Sequence, residues 1–413
     1  MLLLAGITGL LLYIEDYRPD AIGLATAPYR FGAVAWELGN LPDKWLHRIW
    51  GGPKGLIEAK NRERRLAQVE EFFALGARLR EIDREIIQLA TRASPAAQAT
   101  GDAAALRAEQ ARLRERQSRL RPQVEETVEG AIADELVSLG FRAWTGVFPP
   151  VDTVLTGSPT VLVTSPRDRI ARLDDVILQM GLTNEQRERI ENGVESETGL
   201  SALVVNTGGI AFYPSITLPD AGLDFALEVI AHEWVHQWLW FRPLGRRYFE
   251  GGDMTAINET VADIAGHEIG ELARSRLEGT ASPQRPHPGH GHTERERQPA
   301  VNPLAFDFQA EMRITRERVD ELLAARDVAG AEAYMEERRR EFVENGYLIR
   351  RLNQAYFAFH GTYATTGAAG VNIIGQQVEE LRRRSPTLER FLRIAAEIDN
   401  PADLSNLLSS PLR

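Results

Sequence analysis

The sequence predicts an α+β fold that is mostly helical. Long stretches carry apolar residues at steps of three and four, which is the periodicity of amphipathic helices. Two shorter runs are rich in β-branched residues and stand next to proline or glycine, as strands often do. From Asp224 onward the chain is mainly helical in pattern. The sequence therefore predicts mainly helices, with too few strands for more than a small sheet.

The composition of the chain excludes several classes of protein and of site. Of its 413 residues, 43% are hydrophobic and 26% are charged, which excludes disorder throughout and a polytopic membrane protein. The formal net charge of −11 argues against a nucleic-acid-binding protein, which would carry a basic face. The chain has no cysteine, so disulfides, thiolate metal sites and cysteine nucleophiles are ruled out. Any metal must be held by carboxylates and by the eight histidines.

Residues 1–56 begin with an uncharged apolar run, Met1–Ile14. As a helix this run would span about 21 Å, less than the roughly 30 Å hydrocarbon core of a bilayer. It also lacks the basic flank of a signal sequence. We interpret it as a membrane tether followed by a juxtamembrane stretch, with the rest of the chain extracytoplasmic. A cleaved signal, and a buried helix in a soluble protein, are the alternatives.

Residues 57–140 are predicted to form a helical hairpin with coiled-coil character. Two apolar stripes, at 57–91 and at Leu106–Leu136, are separated by a break rich in small residues, with a proline and a glycine. Pro122 is expected to kink or restart the second helix. The hairpin could cap a cleft, act as a spacer, or serve in self-association.

Residues 141–413 are predicted to form one main domain. Its strand-like runs are Thr160–Thr164 and Ala202–Asn206, the latter leading through two glycines into Ile210–Ile216, and residues 168–198 are predicted to be helical between them. A loop at 279–303 interrupts the later helices. Its histidines are not expected to form a specific metal site, because a mobile loop does not pre-organise ligands. They are His287, His290 and His292.

The segment Leu223–Phe241 carries the residues that point to chemistry. His232 and His236 are one helical turn apart, so both imidazoles face the same way at a spacing that fits one tetrahedral metal ion. Glu233 completes the H-E-x-x-H pattern, in which the histidines bind zinc and the glutamate is a general base. Two buried structural histidines are the alternative, which is disfavoured because polar rings in so apolar a helix would need partners.

The pattern requires a third ligand, whose position distinguishes families. A third histidine six residues after His236 would mark the metzincin type, but that position is Arg242. A second helix is predicted at Asp253–Arg276, and in it Glu259 lies 23 residues after His236. This is enough chain for the second helix to return beside the first. Asp263, one turn later, can accept the outward N–H of a ligand histidine.

The sequence HEWVH (232–236) followed by NETVAD (258–263) resembles the gluzincin metallopeptidases, the thermolysin-like class. The resemblance implies a zincin-like peptidase domain with a small edge sheet and a zinc ion bound by His232, His236 and Glu259. It implies further that Glu233 is catalytic. It implies that Asp263 and Asn258 contact the ligand residues without binding the zinc ion themselves. The expected activity is hydrolysis of peptide bonds in peptides or proteins by a metal-activated water.

The stretch Val204–Ile216 fits the edge strand with which this family holds the substrate backbone. The Gly-x-Met-Glu-Asn motif of one large aminopeptidase group is absent from it, so no anchor for a substrate amino terminus is visible. Whether the protein is an aminopeptidase or an endopeptidase is left open by the sequence.

The predicted helix in Arg350–Ala364 is the best source of a donor for the oxyanion that forms on the cleaved carbonyl. Asn353, Tyr356, His360 and Tyr363 share one face of it, and Tyr363 and His360 are the favoured donors. This tail also loosely resembles a bacterial metallo-aminopeptidase group. The alternative is that the polar stripe only makes hydrogen bonds within the core.

Two other readings of the sequence stay open. The protein could be a membrane-tethered zinc-binding scaffold without peptidase activity, although a structural site has no need of Glu233. It could also be a metal-dependent hydrolase of non-peptide amides or esters. His267 is expected to be a structural neighbour of the site and not a ligand.

Overall fold

The structure is a computed structural model. It describes residues 20–32, 35–36, 59–92, 101–143, 146–173, 175–207, 209–248, 250–280, 306–347, 349–360 and 373–409. Helices make up most of these residues, and two three-stranded sheets make up the rest of the regular structure, so the prediction of a mostly helical α+β fold is confirmed.

The described strands all lie in the middle of the chain, and helices precede and follow them. The described helices are α1 (Ala21–Thr26), α2 (Ala59–Arg92), α3 (Gly101–Ser138), α4 (Asn184–Thr198), α5 (Leu223–Leu239), α6 (Pro243–Arg246), α7 (Gly252–Glu278), α8 (Phe308–Ala324), α9 (Val328–Glu344), α10 (Gln354–His360), α11 (Ile373–Arg384), α12 (Leu388–Ala395) and α13 (Pro401–Ser409). The described strands are β1 (Thr153–Leu155), β2 (Thr160–Ser165), β3 (Asp175–Leu178), β4 (Ser201–Asn206), β5 (Gly209–Ile210) and β6 (Ser215–Thr217).

The two longest helices, α2 and α3, pack side by side in opposite directions. Arg78 pairs with Glu109 at 3.0 Å and Arg116 pairs with Glu71 at 2.7 Å, but such solvent-exposed pairs contribute little to stability. Burial contributes more, since apolar residues of both helices belong to the same core cluster as α5 and α7. The two helices therefore support the centre of the molecule directly.

Helix α3 runs without interruption through Pro122, so the expected restart of the helix does not occur. Proline removes one backbone hydrogen bond and crowds the preceding turn. On either side of it, however, Leu120 and Val124 are buried in the core. Their packing holds both flanking turns in helical conformation.

The strands form two separate sheets rather than one. In the first sheet, with order β3-β2-β4, both pairs are antiparallel. In the second sheet, with order β1-β6-β5, β1 is parallel and β5 antiparallel to β6. Among the described strands β5 lies at an edge of the second sheet. The long buried helix α5 follows β6 in the chain.

Two expectations about this region are wrong. The stretch Val204–Ile216 is not one strand, because β4 ends at Asn206 and the chain then crosses to the second sheet, where Pro214 lies between β5 and β6. The helix expected at 168–198 starts only at Asn184, after a capping box formed by Thr183. Part of the earlier stretch is β3, because pairing with the fully buried β2 outweighs its local preference.

Helices α5 and α7 pack closely against each other at the centre of the molecule. A Cβ atom added to Gly266 would lie 2.9 Å from the Cβ of His232, and one added to Gly270 would lie 2.6 Å from Cγ of Glu228. Glycine at these two positions lets the backbones approach to a distance that a larger residue would prevent. The close approach brings the polar residues of the two helices into contact.

The C-terminal helices fall into two groups. Helices α8 and α9 pack against each other and share an apolar cluster with α10, which lies on β2 and β4. Helices α11, α12 and α13 pack against α7. No helix in the described ranges is long and apolar enough to cross a membrane. The predicted tether at Met1–Ile14 and the three loop histidines lie outside the described residues.

Candidate metal centre

Helix α5 presents two imidazoles to one point. The Nε2 atoms of His232 and His236 are 2.9 Å apart, and the ring centroids are 4.6 Å apart. The rings are on one face because the residues are one turn apart. Both side chains are partly buried, so a small ion can reach them while bulk water is largely kept away.

Helix α7 brings Glu259 to the same point. Its Oε2 atom lies 3.5 Å from Nε2 of His232 and 3.5 Å from Nε2 of His236. A circle through three atoms separated by 2.9, 3.5 and 3.5 Å has a radius of about 1.9 Å, and zinc–nitrogen and zinc–oxygen bonds are about 2.0–2.2 Å long. The three atoms therefore fit around one metal ion without rearrangement, and these residues are the group that could hold a metal in the described part of the chain.

Each imidazole is oriented by a partner on α7. Nδ1 of His232 lies 3.0 Å from Oδ1 of Asp263, and Nδ1 of His236 lies 2.8 Å from Oδ1 of Asn258. The amide of Asn258 donates to the carbonyl of Leu244 at 3.2 Å, which leaves its oxygen to accept from the imidazole. With its proton on Nδ1, each ring would direct the lone pair of Nε2 to the shared point, as a metal ligand requires.

Tyr248 belongs to the centre and was not found from the sequence. Its hydroxyl donates a hydrogen bond to Oε1 of Glu259, the oxygen that does not face the imidazoles. Its ring stands edge-on to His236, with centroids 5.9 Å apart. The residue lies between α6 and α7, where no helical periodicity relates it to the ligands, so the sequence carries no signal for it.

Glu233 lies against β5 and is not one of the three converging groups. It is 6% exposed, and a Cβ atom added to Gly209 would lie 2.5 Å from its Oε1 atom. Only glycine leaves room for this carboxylate beside the strand. The sequence contained the glycine, but its role depends on which strand packs on α5.

Burial and neighbouring charges shift three pKa values in the centre. Burial alone would lower the pKa of His232, but hydrogen bonds with Asp263 and Glu259 outweigh it and raise that pKa well above its usual value. Burial alone would raise the pKa of Glu259, but the imidazoles of His236 and His232 hold it well below its usual value. Burial raises the pKa of Glu233, which the imidazoles offset only in part. Buried carboxylates of this kind favour a nearby cation.

Of the residues expected to supply an oxyanion donor, His360 is described and Tyr363 lies outside the described residues. His360 ends α10, which packs on β2 and β4, and its ring contacts Tyr356 and Phe359 of its own helix. Burial lowers the pKa of His360 to about 4. The expected role of His360 and Tyr363 as oxyanion donors stays a prediction.

Two neighbouring residues make structural contacts. Asn353 precedes α10 and donates to the carbonyl of Ala202 in β4 at 3.0 Å. His267 lies between two carboxylates, with Nδ1 3.2 Å from Oε1 of Glu228 and Nε2 3.4 Å from Oε1 of Glu271. Opposite sides of its ring are engaged, so these groups do not converge on one point.

Comparison of the chain with protein-family models, with curated proteins and with solved structures finds no match.

Proposed function

We propose that the protein is a zinc-dependent peptidase. The observation that carries the proposal is the convergence of His232, His236 and Glu259 on one point, with Glu233 beside them on the same helix as the histidines and against an edge strand. The same residues carry the sequence resemblance to gluzincin peptidases.

Zinc is the ion that suits this ligand set best. Two imidazoles and one carboxylate at a tetrahedral spacing are typical of zinc, and three protein ligands leave one position for water or substrate, as catalytic sites do. Such an ion supplies Lewis acidity that polarises a carbonyl group and lowers the pKa of a water molecule. A site with a purely structural role would usually have four protein ligands.

Glu233 is the proposed general base. Its carboxylate is not one of the three converging atoms, and burial raises its pKa, which brings it closer to neutral pH. It would take a proton from the attacking water and deliver it to the leaving amine. Asp263 and Asn258 keep the two imidazoles in the orientation that this arrangement needs.

The edge strand favours a peptide as the substrate. β5 pairs with β6 on one side, and the carboxylate of Glu233 lies directly at Gly209 of β5. A peptide that adds to the sheet along β5 would pair through its backbone and bring one of its carbonyl groups to Glu233. A non-peptide amide or ester would make less use of this strand.

Tyr248 is the hydroxyl group best placed to stabilise the oxyanion. It already donates to Glu259, so its O–H lies beside the ligand set. A short movement of the hydroxyl from this carboxylate to a substrate oxygen would serve the transition state, a contribution worth about 3–4 kcal/mol for one donor in comparable sites. The proposal for Tyr363 stands beside it, since that residue lies outside the described ranges.

The experiment is a peptide-cleavage screen with three forms of the protein: wild type, wild type treated with a chelator and then resupplied with zinc, and the Glu233→Gln variant. We expect cleavage by the wild type, loss with the chelator and recovery with zinc. Glu233→Gln should bind zinc with unchanged stoichiometry and lose about 10²–10⁴-fold in rate.

Glu228→Gln is the matched control, because Glu228 is also buried on α5 but pairs with His267. It should keep activity. Cleavage by Glu233→Gln at the wild-type rate would contradict the role of the base. A wild-type protein that binds zinc but cleaves no peptide would favour the scaffold or, if it cleaves amides or esters, the non-peptide hydrolase.

A further inference from the structure

An N-terminal strap, defined as residues 20–32 and 35–36, connects the first sheet with the loop after β5. The backbone N–H of Phe31 donates to the carbonyl of Ile177 in β3 at 3.0 Å, which fixes the strap to the edge of the first sheet. The ring of Phe31 stacks on that of Phe212 in the loop after β5. The ring centroids are 5.4 Å apart, and the ring planes make an angle of 14°.

A second contact, made by Trp36, joins the strap to the same loop after β5. The indole of Trp36 donates to the carbonyl of Pro214 at 3.3 Å, and its ring lies 6.0 Å from that of Phe31. Phe31 and Trp36 of the strap therefore both contact residues 211–214, although they lie far from them in the chain.

The loop that receives the strap lies along the same face of α5 as the proposed base. Gly209 contacts Glu233, and the carbonyl of Phe212 accepts a hydrogen bond from Gln237 at 2.6 Å. Glu233 and Gln237 are one turn apart, which corresponds to a rise of about 6 Å along the helix. Phe212 thus lies one turn beyond the base, next to the turn that carries His236.

Both rings of the stack keep part of their surface exposed. Phe31 and Phe212 are half-buried, so they present apolar surface at the end of β5. A peptide paired with β5 advances about 3.3 Å per residue, so its side chain two or three residues from the bond at Glu233 reaches the stack. In the antiparallel arrangement, which is the more stable one, this residue is on the N-terminal side of that bond.

We infer that Phe31 and Phe212 form an apolar subsite that selects an aromatic or large aliphatic side chain on the N-terminal side of the cleaved bond. The inference rests on the proposed peptidase function and names its substrate class: peptides with such a side chain two or three residues before the cleavage point. Phe31 and Phe212 are specificity residues, and the strap contributes one wall of the substrate cleft.

The test measures binding separately from cleavage. In the zinc-loaded Glu233→Gln protein, the affinities of two peptides that differ only by Phe or Ala at the selected position are compared. We expect the Phe peptide to bind about tenfold more tightly, which corresponds to partial burial of one aromatic side chain. Adding Phe212→Ala or Phe31→Ala should reduce this ratio to below about twofold, while Phe212→Leu should keep most of it.

Phe148→Ala is the matched control, because Phe148 is half of another exposed aromatic pair, with Phe241 at 5.6 Å. It should leave the ratio unchanged, and zinc stoichiometry with circular dichroism verifies that each variant folds. An unchanged ratio in folded Phe212→Ala and Phe31→Ala proteins overturns the inference. So does a preference confined to the C-terminal side of the bond in cleavage profiling. Absence of any cleavage by the wild type would instead contradict the peptidase function, whatever the binding ratio.

Discussion

Two buried carboxylates in this molecule are stabilised in different ways. Glu191 of α4 is fully buried and is bound by the guanidinium groups of Arg350 and Arg351 and by the backbone N–H of Val204 at 2.7 Å. Glu259 of α7 is 4% exposed and faces two imidazoles and a phenol.

The difference lies in whether the partner charge is permanent. Arginine stays protonated at any physiological pH, so Glu191 is neutralised within the chain itself. A neutral imidazole is instead a metal ligand, so a metal ion can supply the positive charge beside Glu259. Glu191 is paired with cations of the chain itself, whereas the proposed metal centre leaves room beside Glu259 for an exchangeable metal cation.

The largest expected effect is the loss of zinc affinity in Glu259→Ala. Structural zinc sites with four protein ligands bind by about 10–16 kcal/mol, or a few kcal/mol per ligand, so removal of Glu259 should weaken binding roughly 100- to 1000-fold. Competition with a chromogenic chelator measures this change. Glu271→Ala, a partly exposed residue of the same helix, is the control and should bind as the wild type does. Equal affinities for wild type and Glu259→Ala would remove Glu259 from the ligand set.

Glu191→Ala should lower the free energy of unfolding by about 3 kcal/mol without changing zinc stoichiometry. The value is at the low end for a broken buried ion pair, because both arginines reach solvent. Denaturant unfolding measures it. Glu195→Ala, one turn later and partly exposed, removes a pair with Arg351 and should cost less than about 1 kcal/mol. If Glu191→Ala instead abolished zinc binding in a folded protein, the two regions would not be independent.

Asp263→Asn should weaken zinc binding by about 10- to 100-fold, the smallest of these effects. The substitution keeps the shape of the side chain but removes the charge that strengthens His232 as a ligand. The same chelator competition measures it. Glu268→Gln, also buried on α7 but bound to Arg382 at 2.6 Å, should leave zinc affinity unchanged. An unaltered affinity in Asp263→Asn would show that the aspartate only packs against the ring.

The ligand set was predictable because its residues are related by local helical spacing. His232, Glu233 and His236 lie within one turn, and Asn258, Glu259 and Asp263 lie within little more than one turn of the next long helix. Helical periodicity fixes which side chains share a face, whatever the rest of the chain does. The side chains of each motif therefore share a helix face in the fold, as their spacing in the sequence predicts.

Other parts depend on contacts that no local pattern encodes. Tyr248 reaches Glu259 only because of the turn between α6 and α7, and β5 separates from β4 because the two strands join different sheets. The polar face that includes His360 was recognised, but spacing alone does not say which core that face will meet. These features follow from tertiary pairing and packing, which a single sequence specifies only through the whole fold.

The glycines at which α5 and α7 touch set the spacing of the donor atoms in the proposed metal centre. Gly266 lies against the backbone and Cβ of His232, so the separation of the helices determines how far Glu259 stands from the imidazoles. The resulting spacing of the donor atoms suits bonds of about 2.0–2.2 Å, whereas calcium prefers about six to eight oxygen ligands. Gly266 and Gly270 thus hold the two helices at the distance on which the proposed ligand geometry depends. A larger residue at either position would move Glu259 away from the imidazoles and weaken the binding of the cation.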